Sequence, residues 1–300
     1  MSAKIFIDGQ AGTTGLGIAQ RLSALPHYTL VTVDDARRKD PAARAEAMAA
    51  ADLTVLCLPD DAAREAVRIA PLGTRILDAS TAHRTAPGWV YGFPELAAGQ
   101  AEQIAAAQYV SNPGCYATGA IALLAPLLAA GLLGAETPVS INAVSGYSGG
   151  GKAMIADHER DGGPAFELYA LGLTHKHVPE IMACTGLTRR PIFVPSVGHF
   201  AQGMLVSIPL HLDTLPGTPK AETLLAALAA HYPTGSVRVQ PGIWSGNLAP
   251  EALNDTDGLE VFVAAHGAHA VLIARLDNLG KGASGAAVQN IDLMLGGVKK

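Results

Sequence analysis

Cysteine is scarce in this chain. Only three cysteines occur among 300 residues, Cys57, Cys115 and Cys184, so they cannot all pair with one another. The spacings of disulfide frameworks and of metal ligands are both missing, and the first residues lack the pattern of a secretory signal peptide. Free thiols are typical of a reducing compartment. We therefore expect a cytoplasmic protein without disulfides and without a bound metal ion.

Basic clusters and long apolar runs are also missing. The formal net charge is −5 at pH 7, and Arg37-Arg38-Lys39 is the one basic triplet. This balance argues against broad binding to nucleic acids or acidic membranes. The most apolar stretch, residues 116–130, is shorter than a membrane span and predicts a buried helix. We expect neither a nucleic-acid partner nor a membrane partner.

The order of the predicted elements differs between the two parts of the chain. The first part alternates strands and helices, starting with a strand over residues 4–8, as in βαβ units. From Val139 onward several strands need no crossover helix, which predicts a mixed or antiparallel sheet. Residues 153–173 are predicted to be irregular. A chain of 300 residues is long enough for two domains.

A glycine-rich turn joins the first predicted strand to the first helix. Gly9, Gly12 and Gly15 follow a G-x-x-G-x-x-G spacing that includes Thr13 and Thr14. Such a turn lets the backbone approach a pyrophosphate at the N-terminus of a helix. We therefore predict a dinucleotide site at this turn.

The end of the second predicted strand bears on which dinucleotide binds. Asp34 and Asp35 carry carboxylates that can accept hydrogen bonds from ribose hydroxyls, whereas Arg37 and Arg38 can pair with a 2′-phosphate. A solvated charged loop is the alternative interpretation. Because two arginines follow the strand closely, we favour NADP over NAD.

Cys115 stands at the start of another predicted helix, directly after the turn Asn112-Pro113-Gly114. Backbone N–H groups and the helix dipole stabilise an anion there, so we expect a lowered thiol pKa and a nucleophilic thiolate. The same N–H groups, together with Asn112, are candidates for holding an oxyanion. The alternative is a small apolar side chain packed under a helix. The Asn-Pro-Gly turn favours catalysis.

Five segments spread over nearly the whole chain form a further pattern. They are Y-G-F-P-E-L at 91–96, S-N-P-G-C-Y-A-T at 111–118, S-G-Y-S-G at 145–149, H-K-H-V-P-E at 175–180 and D-N-L-G-K-G-A-S-G-A-A-V-Q-N at 277–290. Together they resemble the N-acetyl-gamma-glutamyl-phosphate reductase family, in its short form. D-A-S-T-A-H-R at 78–84 departs from the family's commoner D-L-S-A-D-F-R, and Lys152 stands where arginine is frequent.

The resemblance implies an α/β fold like that of the glyceraldehyde-3-phosphate and aspartate-semialdehyde dehydrogenases. A Rossmann-like domain with a parallel sheet would cover residues 1–114 and be completed by 281–300. A catalytic and oligomerisation domain with a mixed or antiparallel sheet would cover 115–280. The last helix, predicted over 282–295, would return to the first domain. The implied assembly is a homo-oligomer, either a dimer or a tetramer.

The resemblance also implies a reaction, the reductive dephosphorylation of N-acetyl-L-glutamyl 5-phosphate by NADPH to the 5-semialdehyde. In this reaction the Cys115 thiolate attacks the acyl phosphate, phosphate leaves, and the thioester is reduced. An imidazole moves the proton, and we rank His177 before His175 and His199 for that role. A surface or helix-capping histidine is the alternative for each of the three.

Other site residues follow from the same resemblance. Arg84 and Lys152 are candidates for binding the leaving phosphate or the substrate carboxylate. The implied substrate residues are Arg84, Ser145, Ser148, Lys152 and Glu180. Glu180 either orients a histidine or solvates a helix turn. Asn278 and Lys281 are implied to approach the nicotinamide end of NADP(H).

Several other functions are consistent with parts of these patterns. An aspartate-semialdehyde dehydrogenase shares the chemistry, as does an acyl-phosphate reductase of lysine biosynthesis; a carrier-linked substrate for the latter needs a basic groove that the sequence does not indicate. A cysteine acyltransferase or hydrolase would bind no nicotinamide, and the glycine turn argues against it. A non-catalytic nucleotide sensor would keep its function without Cys115.

Overall fold

The computed structural model describes residues 2–296, apart from the side chain of Asp161. These residues form two compact units: the first comprises 2–94, 98–113 and 283–296, and the second comprises 95–97 and 114–282. Met1 and residues 297–300, which the predicted first domain includes, lie outside the described residues.

The first unit contains a sheet in which all pairings are parallel. Its strands are β1 (Ala3–Asp8), β2 (Tyr28–Val31), β3 (Leu53–Leu56), β4 (Ile76–Asp78), β5 (Val90–Tyr91) and β6 (Tyr109–Ser111). Within the described residues the sheet has six strands in the order β2-β1-β3-β4-β6-β5. The predicted N-terminal parallel sheet is therefore confirmed.

Helices cover both faces of this sheet. They are α1 (Thr13–Ser23), α2 (Pro41–Ala50), α3 (Asp60–Ile69), α4 (Gln100–Ala106) and, near the end of the chain, α9 (Gly285–Met294). One core cluster joins Ile5 of β1 to Ile18 of α1 and Ile291 of α9. A second cluster joins Phe6 to Met48 of α2. The final helix thus belongs to the first unit, as predicted.

The second unit contains a mixed sheet, which was also predicted. Its strands are β7 (Ser140–Gly146), β8 (Phe166–Leu168), β9 (Ile192–Gly198), β10 (Met204–His211), β11 (Val237–Val239), β12 (Leu259–His266) and β13 (His269–Leu276). Seven strands are described, in the order β11-β12-β13-β10-β7-β9-β8. Parallel pairs join β11 to β12 and β7 to β9, and the other pairs are antiparallel.

The apolar helix predicted over 116–130 is the central helix of the second unit. The helices of this unit are α5 (Cys115–Ala129), α6 (Gly151–Asp161), α7 (His177–Thr185) and α8 (Ala221–His231). Helix α5 packs on the sheet at Gly119, where an added Cβ would lie 2.7 Å from Cγ2 of Val206. Because a larger residue would collide with Val206, this close approach explains why a glycine occurs in the middle of the helix. Among residues 2–296, no helix has both the length and the apolarity to cross a membrane.

The prediction that residues 153–173 are irregular is wrong. Helix α6 occupies Gly151–Asp161 and strand β8 occupies Phe166–Leu168. Helix α6 is mostly exposed and carries charged residues, so it has no apolar stripe to indicate a helix. Strand β8 is short and lies at the edge of the sheet, where few side chains are buried.

Candidate active site

The nucleophile predicted from sequence stands at the first position of α5. Its N-cap, Gly114, has extended backbone angles of φ −79° and ψ 146°, and no described side chain caps the helix. The Cys115 side chain is half-buried. The segment after β13 passes close to it, because a Cβ added to Gly282 would lie 2.9 Å from the Cβ of Cys115. Only glycine allows this approach.

Glu180 connects the turn before Cys115 to a histidine. This carboxylate lies on α7 and is almost completely buried. Its Oε2 accepts a hydrogen bond of 3.1 Å from the N–H of Gly114, the residue before Cys115. Its Oε1 lies 3.9 Å from Nε2 of His177. One buried side chain therefore ties the start of α5 to the His177 imidazole.

His175 and His177 differ in what their rings can do. The backbone N–H of His177 donates to Nδ1 of His175 at 3.1 Å. A nitrogen that accepts a hydrogen bond carries no proton, so this contact holds His175 as the neutral Nε2–H tautomer. The His175 ring packs edge-on against His177, with centroids 4.6 Å apart. The two rings therefore have different partners: Nδ1 of His175 accepts a backbone N–H, whereas Nε2 of His177 lies near the Glu180 carboxylate.

Two tyrosines complete the aromatic surroundings of these histidines. The Tyr116 hydroxyl donates to the carbonyl oxygen of Ser196 at 2.9 Å, and its ring lies 5.8 Å from that of His177. The ring of Tyr169 lies 5.8 Å from that of His175. Burial raises the pKa of Tyr169 to about 12, so it stays protonated as a donor at neutral pH. Sequence reasoning missed Tyr169 because it lies in the stretch predicted to be irregular.

His199, the third histidine ranked from sequence, belongs to a different cluster. Its Nδ1 lies 2.9 Å from Nδ1 of His158 on α6, so one ring donates to the other. The His158 ring in turn stacks on Tyr147, with centroids 4.7 Å apart. His199 itself is exposed, whereas His158 is buried.

The serine and glycine stretch after β7 is only partly available for a ligand. Ser145 donates its hydroxyl to the carbonyl oxygen of Gly146 at 3.0 Å. Ser148 instead accepts from Nδ2 of Asn278 at 2.9 Å, which leaves its own hydroxyl proton for another acceptor. Lys152 is exposed in the first turn of α6.

Asn278 and Lys281 both lie in the second unit and have protein partners there. Oδ1 of Asn278 accepts from the N–H of Gly203 at 2.8 Å. Nζ of Lys281 forms hydrogen bonds of 2.8 and 3.0 Å with the two carboxylate oxygens of Glu95. These contacts give both residues structural roles, and their predicted approach to the nicotinamide stays a prediction.

In the first unit, the glycine turn before α1 has the shape of a dinucleotide site. Gly9 has φ +88°, and an added Cβ would lie 2.4 Å from the carbonyl oxygen of Cys57. An added Cβ at Gly15 would lie 2.8 Å from Cα of Gln10. Packing therefore requires both of these glycines.

Gly12 is different, because a Cβ there would meet no described atom closer than 3.6 Å. It is the N-cap of α1, and no side chain in the described chain caps that helix. The N–H groups of Thr13 and Thr14, in the first helical turn, have no acceptor within the helix. Since the protein's own packing does not require Gly12, the space it leaves suits a pyrophosphate.

A cavity of about 590 Å³ lies beside this turn. It is lined by Gly9, Gln10, Asp35, Arg38 and Lys39, among others. Arg37 forms an ion pair of 2.8 Å with Asp40. Two cations, Arg38 and Lys39, thus face a cavity that begins at the pyrophosphate turn, and this donor set fits a dinucleotide with a 2′-phosphate.

Comparison with known proteins places this chain in a family. Residues 4–106 match the model of the semialdehyde dehydrogenase NAD binding domain, and residues 115–278 match that of the semialdehyde dehydrogenase dimerisation domain. N-acetyl-gamma-glutamyl-phosphate reductase 2 of Pseudomonas putida is 55% identical over 98% of this chain and 97% of its own length. The reductase of Chelativorans sp. is 53% identical over 100% of both chains. The chain belongs to the N-acetyl-gamma-glutamyl-phosphate reductase family.

Solved structures similar to this member of the family show its fold. Aspartate semialdehyde dehydrogenase II of Vibrio cholerae, complexed with ASA, has a TM-score of 0.72 at 16% identity and covers 98% of each chain. The aspartate semialdehyde dehydrogenase of Candida albicans with NADP has a TM-score of 0.69 at 12% identity, again over 98% of each chain. The TM-scores show a common fold, and at such low sequence identity the likeness shows the fold alone.

Three of the segments that carry the family resemblance meet in the first unit. Nδ2 of Asn112 donates to the carbonyl oxygen of Ala283 at 3.0 Å, and Nδ2 of Asn290 donates to that of Gly92 at 2.9 Å. A Cβ on Gly92 would lie 2.5 Å from Nδ2 of Asn290, which explains the glycine. Arg84 also joins this network, since its Nε donates to the carbonyl oxygen of Asn112 at 3.0 Å.

Proposed function

We propose that this chain is an N-acetyl-gamma-glutamyl-phosphate reductase that uses NADPH to convert N-acetyl-L-glutamyl 5-phosphate to N-acetyl-L-glutamate 5-semialdehyde and phosphate. The observation that carries the proposal is the bridge made by Glu180 between the Gly114 N–H and His177. It gathers a cysteine at a helix start, an imidazole and a carboxylate into one site. The full-length relatives named for this reaction support the choice of substrate.

Cys115 supplies the nucleophile. Its thiolate attacks the acyl carbon, the bond from that carbon to the phosphate oxygen breaks, and inorganic phosphate leaves a thioester on the sulfur. The N–H of Gly114 is engaged by Glu180, so the oxyanion is held by the N–H groups of the first turn of α5. Asn112, whose amide is bonded to Ala283, shapes the turn before the nucleophile.

His177 moves the proton. When bound, NADPH supplies the hydride that reduces the thioester. The His177 imidazolium then protonates the alkoxide left by hydride addition, which gives the thiohemiacetal. When the carbon–sulfur bond breaks, the neutral ring takes this proton back from the hydroxyl, the semialdehyde leaves and the Cys115 thiolate is restored. In the reverse direction the neutral ring removes the same proton from the thiohemiacetal before hydride transfer to NADP. Glu180 stabilises the charged form of the ring, while the contact from the His177 N–H keeps His175 neutral beside it.

Substrate recognition falls to cations and one hydroxyl. Arg84 is tied by its Nε to the backbone of Asn112, three residues before the nucleophile, which orients the guanidinium for an anionic group of the substrate. Ser148 has a proton to donate, because its oxygen already accepts from Asn278. Lys152 and Ser145 contribute less, since Lys152 is exposed and the Ser145 hydroxyl already donates to Gly146.

Arg38 and Lys39 confer the preference for NADPH by pairing with the 2′-phosphate. Both line the cavity beside the glycine turn. Arg37 is held by Asp40 and makes a smaller contribution. The glycine turn and the first N–H groups of α1 bind the pyrophosphate.

A homodimer forms through the sheet of the second unit. Phe166, Leu168 and Ile192 are each about half exposed at one end of that sheet, at 58%, 49% and 54%. A cavity of about 600 Å³ on the same sheet is lined by further apolar side chains, Val194 and Ile273 among them. Exposed apolar surface of this kind is typical of an interface. Size-exclusion chromatography with light scattering tests the homodimer, and a monomer at micromolar concentration would contradict it.

A cytoplasmic location stays a prediction.

The function is tested by the reverse reaction. Purified protein is mixed with N-acetyl-L-glutamate 5-semialdehyde, phosphate and NADP, and NADPH formation is followed by absorbance. We expect formation that depends on phosphate and is lost in Cys115→Ser. Aspartate semialdehyde serves as the competing substrate, and faster turnover of it would contradict the proposal.

A further inference from the structure

A buried ion pair lies in the turn that follows the last strand. Nζ of Lys281 contacts Oε2 of Glu95 at 2.8 Å and Oε1 at 3.0 Å. The Lys281 side chain is 1% exposed and that of Glu95 is 11% exposed. Burial lowers the pKa of Lys281, and the charge of Glu95 opposes this shift. An ammonium so deeply buried depends on its carboxylate partner.

Glu95 is itself fixed by the region around the end of α8. The Ser236 hydroxyl donates to Oε1 of Glu95 at 2.5 Å. Nε2 of His231 donates to the backbone oxygen of Glu95 at 3.2 Å. These contacts hold both the side chain and the backbone of Glu95, so the carboxylate is a fixed anchor for Lys281.

Lys281 lies within one turn of π-helix, Gly280–Ser284, which begins three residues after Asp277. The buried Asp277 carboxylate accepts hydrogen bonds from Nε2 of Gln202 at 2.6 Å and from the N–H of Asp255 at 2.9 Å. The Gly282 N–H donates to the backbone oxygen of Asp277 at 2.9 Å. Asp277 therefore secures the start of this turn, and Lys281 secures its middle.

Gly282 is the point where this turn meets the nucleophile. A Cβ placed on it would lie 2.9 Å from Cβ and 3.4 Å from Cα of Cys115. Any outward movement of the turn opens a gap beside the cysteine, and any inward movement crowds it. The neighbouring residue, Lys281, is the one with the buried charge.

We propose that the Glu95–Lys281 ion pair is a positioning device for the nucleophile, because it holds Gly282 against Cys115 and so fixes the sulfur at the first turn of α5. The effect of this ion pair on catalysis rests on the proposed function, whereas the contact between Gly282 and Cys115 does not. Glu95 and Lys281 touch neither sulfur nor substrate in this role. They act through Gly282.

The test measures the reactivity of the Cys115 thiol directly. Purified protein is alkylated with iodoacetamide between pH 5 and 10, and the Cys115 peptide is quantified by mass spectrometry. In Glu95→Gln we expect the midpoint of the pH profile to rise toward the ~8.5 of a free thiol and the rate at pH 7 to fall at least about threefold. The peptides of Cys57 and Cys184 in the same digest are internal references.

Glu260→Gln is the matched control. Glu260 pairs with Arg275 in the same unit and is 17% exposed. The Cβ of Ala274 faces α5 at Gly119. Because successive side chains of a strand point to opposite faces of the sheet, Arg275 and its partner Glu260 lie on the face away from α5. We expect its alkylation profile to match that of the wild type. A folded Glu95→Gln protein with a wild-type midpoint and rate would overturn the proposal.

Two gentler variants keep the test decisive if Glu95→Gln does not fold. Ser236→Ala removes one hydrogen bond to Glu95, and Gly282→Ala crowds Cys115 while leaving the ion pair in place. A shifted profile in Ser236→Ala supports the proposal, and a wild-type profile in that variant overturns it. Gly282→Ala shows how large a shift a direct disturbance beside Cys115 produces. Alkylation uses no substrate, so the two proposals can fail separately. If the wild-type protein has no reductase activity but the profile of Glu95→Gln is shifted, only the proposed function is rejected. Full reductase activity with unshifted profiles would reject only the positioning role.

Discussion

Helices α1 and α5 begin in nearly the same way, one in each unit. The N-cap of α1, Gly12, has φ −75° and ψ 162°, and that of α5, Gly114, has φ −79° and ψ 146°. Each helix follows a strand of a parallel sheet and a turn. No described side chain caps either one. Both therefore present backbone N–H groups that favour an anion.

The two helix starts differ in the side chains that reach them. At α1 the turn faces a cavity lined by Arg38 and Lys39, and Gly12 keeps the approach open. At α5 the first residue is Cys115, and Glu180 occupies the N–H of the N-cap. We propose that the same backbone arrangement serves binding at α1 and nucleophilic chemistry at α5. The difference comes from Cys115 at the first position of α5 and from side chains farther along the chain, Glu180 at α5 and Arg38 and Lys39 at α1.

The substitution with the largest expected effect on this comparison is Cys115→Ser. We expect turnover to fall by at least about a thousandfold, because a serine hydroxyl is far less nucleophilic than a thiolate. NADPH affinity, which depends on α1, should stay within about twofold of the wild type. Initial rates and fluorescence titration measure the two quantities.

Cys57→Ala is the control for this loss. Burial raises the pKa of Cys57 to about 12, so its thiol is protonated and unreactive at neutral pH. Turnover of this variant should equal that of the wild type. Wild-type turnover in Cys115→Ser would show that the start of α5 does not carry the nucleophile.

The second test removes the imidazole. In His177→Asn we expect kcat to fall by about a hundredfold or more, since general acid catalysis is lost. His175→Asn should cost less, because that ring is held neutral and acts through His177. The pH profile of kcat distinguishes the two variants. A larger loss in His175→Asn would reverse the assignment.

Much of the first unit could be predicted from sequence because its strands, turns and helices are each encoded by residues that are neighbours in the chain. The glycine turn at Gly9 to Gly15, the strand before it and the helix after it are neighbours in the chain. The resemblance at 175–180 also brought His177 and Glu180 forward. What could not be predicted was contact between distant residues: Glu180 with Gly114, Lys281 with Glu95, and Tyr169 beside the histidines. No periodicity encodes such pairs.

Gly12→Ala tests the binding side of the comparison. The new methyl group meets no described protein atom closer than 3.6 Å, so we expect a loss of unfolding free energy of at most about 1 kcal/mol. NADPH affinity should fall by about thirtyfold, because the methyl group occupies the path of the pyrophosphate. Calorimetric binding and thermal denaturation provide the two values.

Gly9→Ala is the matched variant. Its backbone has φ +88°, and its Cβ would lie 2.4 Å from the oxygen of Cys57, so it should lose more than about 1 kcal/mol of stability. Equal loss of stability in the two variants would mean that Gly12 is structural and leaves no room for a ligand.

Glu180→Gln tests the bridge at α5. The amide oxygen can still accept from the Gly114 N–H, but the charge beside His177 is lost, so we expect kcat to fall by about twentyfold with KM unchanged. Glu180→Ala should in addition lose about 1–3 kcal/mol of stability, because the buried N–H loses its acceptor. If Glu180→Gln kept wild-type kcat, the carboxylate would serve the fold alone.

The smallest expected effect concerns the choice of cofactor. In Arg38→Ala we expect KM for NADPH to rise by about tenfold while KM for NADH is unchanged, because only the charge-assisted bond to the 2′-phosphate is removed. Arg37→Ala, whose side chain is held by Asp40, should change either value by less than about twofold. Equal effects on both cofactors in Arg38→Ala would remove the 2′-phosphate from the explanation.

The account depends most on the covalent step at the start of α5. Its direct measurement is to mix the protein with N-acetyl-L-glutamyl 5-phosphate in the absence of NADPH, quench with acid within milliseconds, and analyse the peptides by mass spectrometry. We predict one N-acetylglutamyl group on Cys115, which disappears when NADPH is added before the quench. Reductase activity in a protein whose Cys115 peptide never gains this mass would contradict the account.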